Sequence, residues 1–339
     1  MKIRASFTVA LQLCSSALIA EDWRVCAISD KDTACERRGY SGLQQAVDRA
    51  ASGDRINVGP GIYHPEVFYD VSYDEFVIRG GLLLEGKTLE IRGVSGAILD
   101  GTDGPPVSAM LIHNSDVKIS GLEIRSFRLD QLEDNVYDGH GIFIINSKVT
   151  VQDVTLSHIP KMSVSIFGES QVQLTRIQVL NGHVGIWTMG TTALRVENSI
   201  FSNNDSASVV ASDHTTTEVY NSVIENSQDD GIYAKENAAV SVVNSTFIGN
   251  LPYAIHAEES ATISVDYSVF YTNEAQFFPE DQTDQLTIGE FVYKENPELD
   301  SDYRPGNSIY SSKGNPAVLN RNGTVSDISL YGGPSAPEG

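Results

Sequence analysis

Five polar residues of this chain fall on neighbouring turns of one repeating pattern, in a column only a few positions wide: Lys161, His183, Asp205, Asp229 and Asp230. A lysine or histidine so placed can serve as the base that removes the proton beside a substrate carboxylate, while a cation or positive group stabilises the enolate that forms. Lys161 and His183 are the candidate bases, with Asp229 and Asp230 as further candidate catalytic residues. Asp205, Asp229 and Asp230 are also candidate oxygen ligands for Ca²⁺, which would then bind the substrate acid. Paired aspartates support a different reaction, hydrolysis of a glycoside, if two of them face each other across the bond about 5 to 9.5 Å apart. The bland alternative is corner chemistry: aspartate caps turns, glycine takes positive φ, and a corner histidine often bonds only to backbone.

Beside these runs a column of larger side chains: Phe143, Ser165, Trp187, Val210, Tyr233 and His256. Rings displayed outward in a stack offer flat apolar faces to sugar rings. Phe143, Trp187, Tyr233 and His256, with the adjacent Asp138, His140 and Lys235, form the candidate substrate-binding set for a linear polymer. The competing expectation is that another segment covers the rings, either LDQLEDNVYD or the long C-terminal tail.

What must position these columns is a repeat. Asn198, Asn221 and Asn244 each open an Asn-Ser segment 23 residues after the last, and the small-then-apolar pairs at Gly141, Ser163, Gly185, Ser208, Gly231 and Ala254 step by 22 or 23. Apolar residues alternate after each step, as in Ile142 and Ile144 or Val164 and Ile166, which is the period of a strand. Two further alternating sets follow in each repeat, with Gly, Asn, Ser and Asp between them. Three short strands per 22–23-residue turn describe a coil of an all-β, right-handed parallel β-helix, in which like residues stack on like. Coils over 57–275 would build a rod of nine or ten turns, roughly 45 Å long at ~4.8 Å per turn. The repeated Asn-Ser pairs are expected to form corner ladders, with Asn198, Asn221 and Asn244 in register.

Residues 21–56 supply the cap that an open first coil needs. Leu43, Ala46, Val47 and Ala50 mark a short amphipathic helix, followed by a Gly-Asp turn and a strand from Arg55 to Val58. This helix and the run GDRINVGPGIYHPE resemble the entry module of secreted right-handed β-helix proteins of the pectate-lyase-like superfamily, and NPAVLNRNGTVSDISLYGGP is similar to the tail of many bacterial members. NSQDDGI resembles the Asp-Asp-Gly motif of calcium-dependent pectate lyases of polysaccharide lyase family nine. It departs from that motif where Tyr233 and Lys235 replace a further acid. The resemblance implies a fold and an acidic-polysaccharide partner, cleaved by β-elimination or epimerised. It also admits non-catalytic relatives that serve adhesion, ligand binding or surface display.

Composition narrows the partners. Forty-five acidic residues against 23 basic ones give a formal charge of −22, and there is no basic block, so nucleic acid would be repelled. Lys2 and Arg4 precede an apolar run ending in small residues, which reads as a signal peptide over 1–20 rather than a membrane span. A secreted or periplasmic monomer is expected. Cys26 and Cys35, nine positions apart in an oxidising compartment, are expected to form a local disulfide. The tail over 276–339 is expected to pack on the rod or cap it.

Overall fold

A computed structural model describes residues 20–130, 136–279 and 284–338. Residues 1–19 of the expected signal peptide and the centre of LDQLEDNVYD therefore lie outside the described residues. The described chain winds into three sheets of 12, 10 and 11 strands, parallel except where Tyr69–Tyr73 pairs antiparallel with Phe76–Glu85, so the all-β, right-handed parallel β-helix expected from the repeat is what forms.

The register is the one the repeat implies. Ile142 pairs with Val164, Val164 with Ile186, Ile186 with Val209, Val209 with Ile232 and Ile232 with Ile255, and all six are wholly buried in the central core. At three of the six preceding positions the small residue is glycine, and there it has a steric cause. A Cβ on Gly185 would come within 2.2 Å of the Ser208 carbonyl oxygen, and one on Gly231 within 2.5 Å of that of Ala254. No real side chain tolerates such an approach, so these coils can sit at sheet spacing only without one.

The Asn-Ser corners form the expected ladder, and their two residues divide the work. Asn198, Asn221 and Asn244 adopt the left-handed conformation, with φ of 49°, 47° and 56°. It is the following serines that form the ladder: the Ser199 amide donates to Ser222 Oγ, that of Ser222 to Ser245 Oγ and that of Ser245 to Ser268 Oγ, at 3.1 to 3.2 Å. The asparagines instead grip the C-terminal tail. Asn198 Nδ2 donates to the carbonyls of Leu330 and Gly332, Asn221 Nδ2 donates to those of Asp327 and Ser329, and Asn244 Oδ1 accepts the Asn315 amide.

The N-terminal end is closed by the helix Gly39–Arg49, which buries Leu43, Ala46 and Val47 over the first coil. Strand Arg55–Val58 forms where expected, but the sheet continues past it through Asp22–Cys26 and Arg37–Arg38. Cys26 and Cys35 are joined in a disulfide within this segment. At the other end the coils run beyond residue 275, through Ala275–Phe278, Leu286–Ile288 and Val292–Tyr293. The chain from 294 then turns back over the ten-stranded sheet, where Leu330, Tyr303 and Tyr331 pack on Ile200 and Val223. No helix among the described residues is long and apolar enough to cross a membrane.

Candidate active site on the eleven-stranded sheet

The eleven-stranded sheet presents the column Phe143, Ser165, Trp187, Val210, Tyr233, His256 in register, one residue per coil. Its first members have no surface. An arm made of Tyr69–Tyr73, the start of Phe76–Glu85, and Val136–Tyr137 folds over them. Phe143 is wholly buried there with Val71, Ile78 and Phe167. The expectation that Phe143 displays its ring is thereby corrected, because the arm supplies the apolar cover that an outward phenylalanine requires.

Asp138 and His140 are likewise buried, against the expectation that they meet substrate. His140 Nδ1 lies 2.7 Å from Ser165 Oγ, and burial, helped by Lys161, holds the imidazole well below its ordinary range. Burial pushes the Asp138 carboxyl up, while its Oδ1 accepts the Asp130 amide. Lys161 stands at the edge of the arm, half-buried, with Nζ 4.1 Å from the centre of the Tyr137 ring. Burial lowers its pKa, and Asp138 opposes that shift.

From Trp187 onward the face is open. His183 and Asp205 are exposed on adjacent coils and hydrogen-bond to each other through Nδ1 and Oδ1. Trp187 anchors its indole on Ser212 Oγ at 3.1 Å, with Lys235 Nζ 5.7 Å from its ring centre. Asp229 points to solvent, whereas Asp230, with φ 57°, turns inward and is nearly fully buried.

That inward turn builds the strongest constellation on the face. Asp230 Oδ2 lies 2.6 Å from His256 Nδ1, and its Oδ1 accepts the Tyr253 amide at 3.2 Å. His256 Nε2 lies 3.2 Å from Glu258 Oε1 with no aligned hydrogen bond and less than 1 Å² of its surface exposed, so it meets a substrate only where the surrounding rings part. Tyr233 donates to Glu258 Oε2 at 2.6 Å. The rings of Tyr233, Tyr253 and Phe278 surround the imidazole with centres 4.8 to 5.1 Å away.

The electrostatics follow from this packing. Burial alone would depress His256, but Asp230 and Glu258 outweigh it and raise the imidazole above its ordinary range. Burial raises the Asp230 carboxyl, and the His256 hydrogen bond and charge oppose that shift. Glu258 is held below the usual carboxylate range, first by the Tyr233 hydroxyl and further by His256 and Lys235. One carboxylate is thus buried and orienting, and the other is ionised and accessible, the separation of roles that acid–base chemistry uses.

The three aspartates considered as Ca²⁺ ligands do not fit that role. Among the described residues the only acid, histidine and cysteine group with ligand spacing is Cys26, Asp30 and Cys35, whose cysteines are joined in the disulfide. Asp205 is turned to His183, and both oxygens of Asp230 are engaged by His256 and the Tyr253 amide. Glu258 and Phe278 were not anticipated, whereas Tyr253 was expected beside the column. Glu258 follows His256 by two positions and so shares its face, which was the available signal.

A family model described as "Right handed beta helix region" matches residues 108–277, half of the chain. The chain belongs to that family. Among solved structures it is similar to "pectate lyase Pel9A", with a TM-score of 0.50 at 12% identity over 92% of this chain and 88% of that one. It is also similar to ORF18 of Geobacillus virus E2, with a TM-score of 0.50 at 11% identity over 75% of this chain. The match spans 58% of the length of that viral protein. At such identities the likeness is one of fold. No curated protein matches the sequence.

Proposed function

We propose that this protein is an exported enzyme that cleaves an acidic polysaccharide by β-elimination on the open part of the eleven-stranded sheet. The observation that carries the reading is the buried Asp230 that orients His256, leaving Nε2 without a hydrogen-bond acceptor beside the ionised Glu258. Glu258 takes the proton beside the uronate carboxylate, the bond from the neighbouring carbon to the glycosidic oxygen breaks, and His256 gives its Nε2 proton to that leaving oxygen. A carbon–carbon double bond remains in the product, so atoms and electrons balance. Lys235 offers charge to the uronate carboxylate, and Trp187 and Tyr233 offer ring faces to the sugars. The disulfide and the basic-then-apolar start support export. Similarity of fold to a pectate lyase supports the substrate class by analogy only.

The test is absorbance of the unsaturated product on a panel of uronate polymers. His256→Gln should lower the rate about a hundredfold or more, as loss of a general acid does, and chelator should leave it unchanged. A full rate in His256→Gln with loss in Lys161→Ala would move the chemistry to the arm's edge, four coils or roughly 19 Å away at ~4.8 Å per coil. Activity abolished by chelator and restored by Ca²⁺ would return the aspartates to a metal role. No turnover and no binding with any uronate polymer would leave a non-catalytic surface protein as the better account.

A further inference from the structure

A second concavity lies on a different side of the rod, between the ten-stranded sheet and the returning tail. It is a cleft of about 430 Å³. Its floor is apolar, formed by Ile177 and Ile200 of the sheet and Leu330 of the tail, all buried. Tyr303 and Tyr331 form ring walls, and neither is loose. Tyr303 donates to Glu225 Oε1 at 2.7 Å, and Tyr331 donates to the Asp302 carbonyl at 2.8 Å, with the Arg304 guanidinium 4.2 Å from the Tyr331 ring centre.

The rim carries Thr155, Gln178 and Asp302, whose side chains make no hydrogen bond among the described residues and are free to meet a guest. The charge of the cleft discriminates among guests. Its cation, Arg176, is spent: Nε and Nη2 bind both oxygens of Asp153 at 2.6 and 2.9 Å, and Nη1 donates to the Ser335 carbonyl at 3.0 Å. Asp302 on the rim and the Arg304 guanidinium on the Tyr331 ring offset each other, so the cleft carries no net charge to draw in an ionic guest. Fixed tyrosine faces, an apolar floor and a rim of amide, hydroxyl and carboxylate groups suit a ring that is apolar on its face and hydroxylated at its edge.

We infer that the cleft between the ten-stranded sheet and the tail is a second glycan-binding site, one that takes a neutral sugar residue. It stands on the opposite chemistry from the catalytic proposal and does not depend on it. A neutral unit held there would tether the enzyme to a mixed polysaccharide while the acidic chain is processed on the other sheet.

The probes are xylotriose, cellotriose and mannotriose, titrated calorimetrically into the full chain with a uronate trisaccharide as control. At least one neutral trisaccharide should saturate, Tyr331→Ala should weaken it tenfold or more, and Trp187→Ala should leave it unchanged. Because Tyr331→Ala could also loosen the tail, Gln178→Ala provides the second variant: its exposed side chain makes no hydrogen bond to the described tail residues, and its loss should weaken binding by at least threefold. Failure of all three neutral probes to saturate at millimolar concentration overturns the inference, as does binding lost in Trp187→Ala and kept in Gln178→Ala. A uronate trisaccharide whose binding is lost in Gln178→Ala overturns the choice of a neutral ligand. Each of these results can arise with the lyase activity present or absent.

Discussion

At the scale of single residues, His256 is defined by what surrounds it. Its imidazole touches Asp230 on one nitrogen and faces Glu258 on the other, and both favour the charged form more than burial opposes it. The consequence for stability has a definite sign. A histidine whose folded pKa lies above its unfolded value contributes stability that is full below about 6.5 and is lost as pH rises through the raised value. Asp230→Asn removes the carboxylate at Nδ1, so the His256 midpoint followed by NMR should fall relative to the parent. An unchanged midpoint would mean that Glu258 alone sets it. The sequence marked Asp230 and His256 as separate candidates, one catalytic and one for binding. Their pairing could not be read there, because it depends on Asp230 turning inward at a left-handed corner rather than outward like Asp229.

At the scale of the elements, each coil is set by two constraints that the repeat displays: alternating apolar residues that point inward, and a small residue before them. The second is where carbonyl oxygens of the next coil approach most closely, 2.4 Å from a Cβ on Gly141, 2.2 Å for Gly185 and 2.5 Å for Gly231. Gly231→Ala should therefore force adjacent strands apart and destabilise the protein by about 1 to 3 kcal/mol, measured as a lower midpoint in urea with little change in slope. Full stability in that variant would show that the coil spacing relaxes freely. The arm formed by Tyr69–Tyr73 and the start of Phe76–Glu85 is the element that the repeat did not announce. It breaks the period, so a search for like positions passes over it, although it decides that Phe143, Asp138 and His140 are interior.

At the scale of the whole molecule, the tail is bound by corners rather than by a sheet. Four successive turns hold it, through Arg176, Asn198, Asn221 and Asn244, mainly on backbone groups between residues 315 and 335. Asn221 has the most contacts, donating to Ser326 Oγ as well as to the Asp327 and Ser329 carbonyls. Asn221→Ala should cost about 1 to 3 kcal/mol, since it leaves buried acceptors without a donor. Limited proteolysis should then cut the tail sooner while the far-ultraviolet strand signal of the rod persists. Equal cutting rates in parent and variant would mean that apolar packing around Leu330 holds the tail by itself.

The sequence alone determined the solenoid, its register, the capping helix and the bonded cysteines, because each follows from local period or spacing: alternation fixes which side chains face inward, and a 22–23-residue step fixes which residues stack. It also placed the open column from Trp187 to His256 on one face. Only the tertiary structure decided what covers that column and what the polar residues bond to. The arm, the tail and the inward turn of Asp230 join residues through corners and returning chain, where neither period nor spacing constrains the partner. Burial by those segments then sets the charges: it withdraws Asp138 and His140 from the surface and leaves His256, Glu258 and Tyr233 partly exposed on the open face.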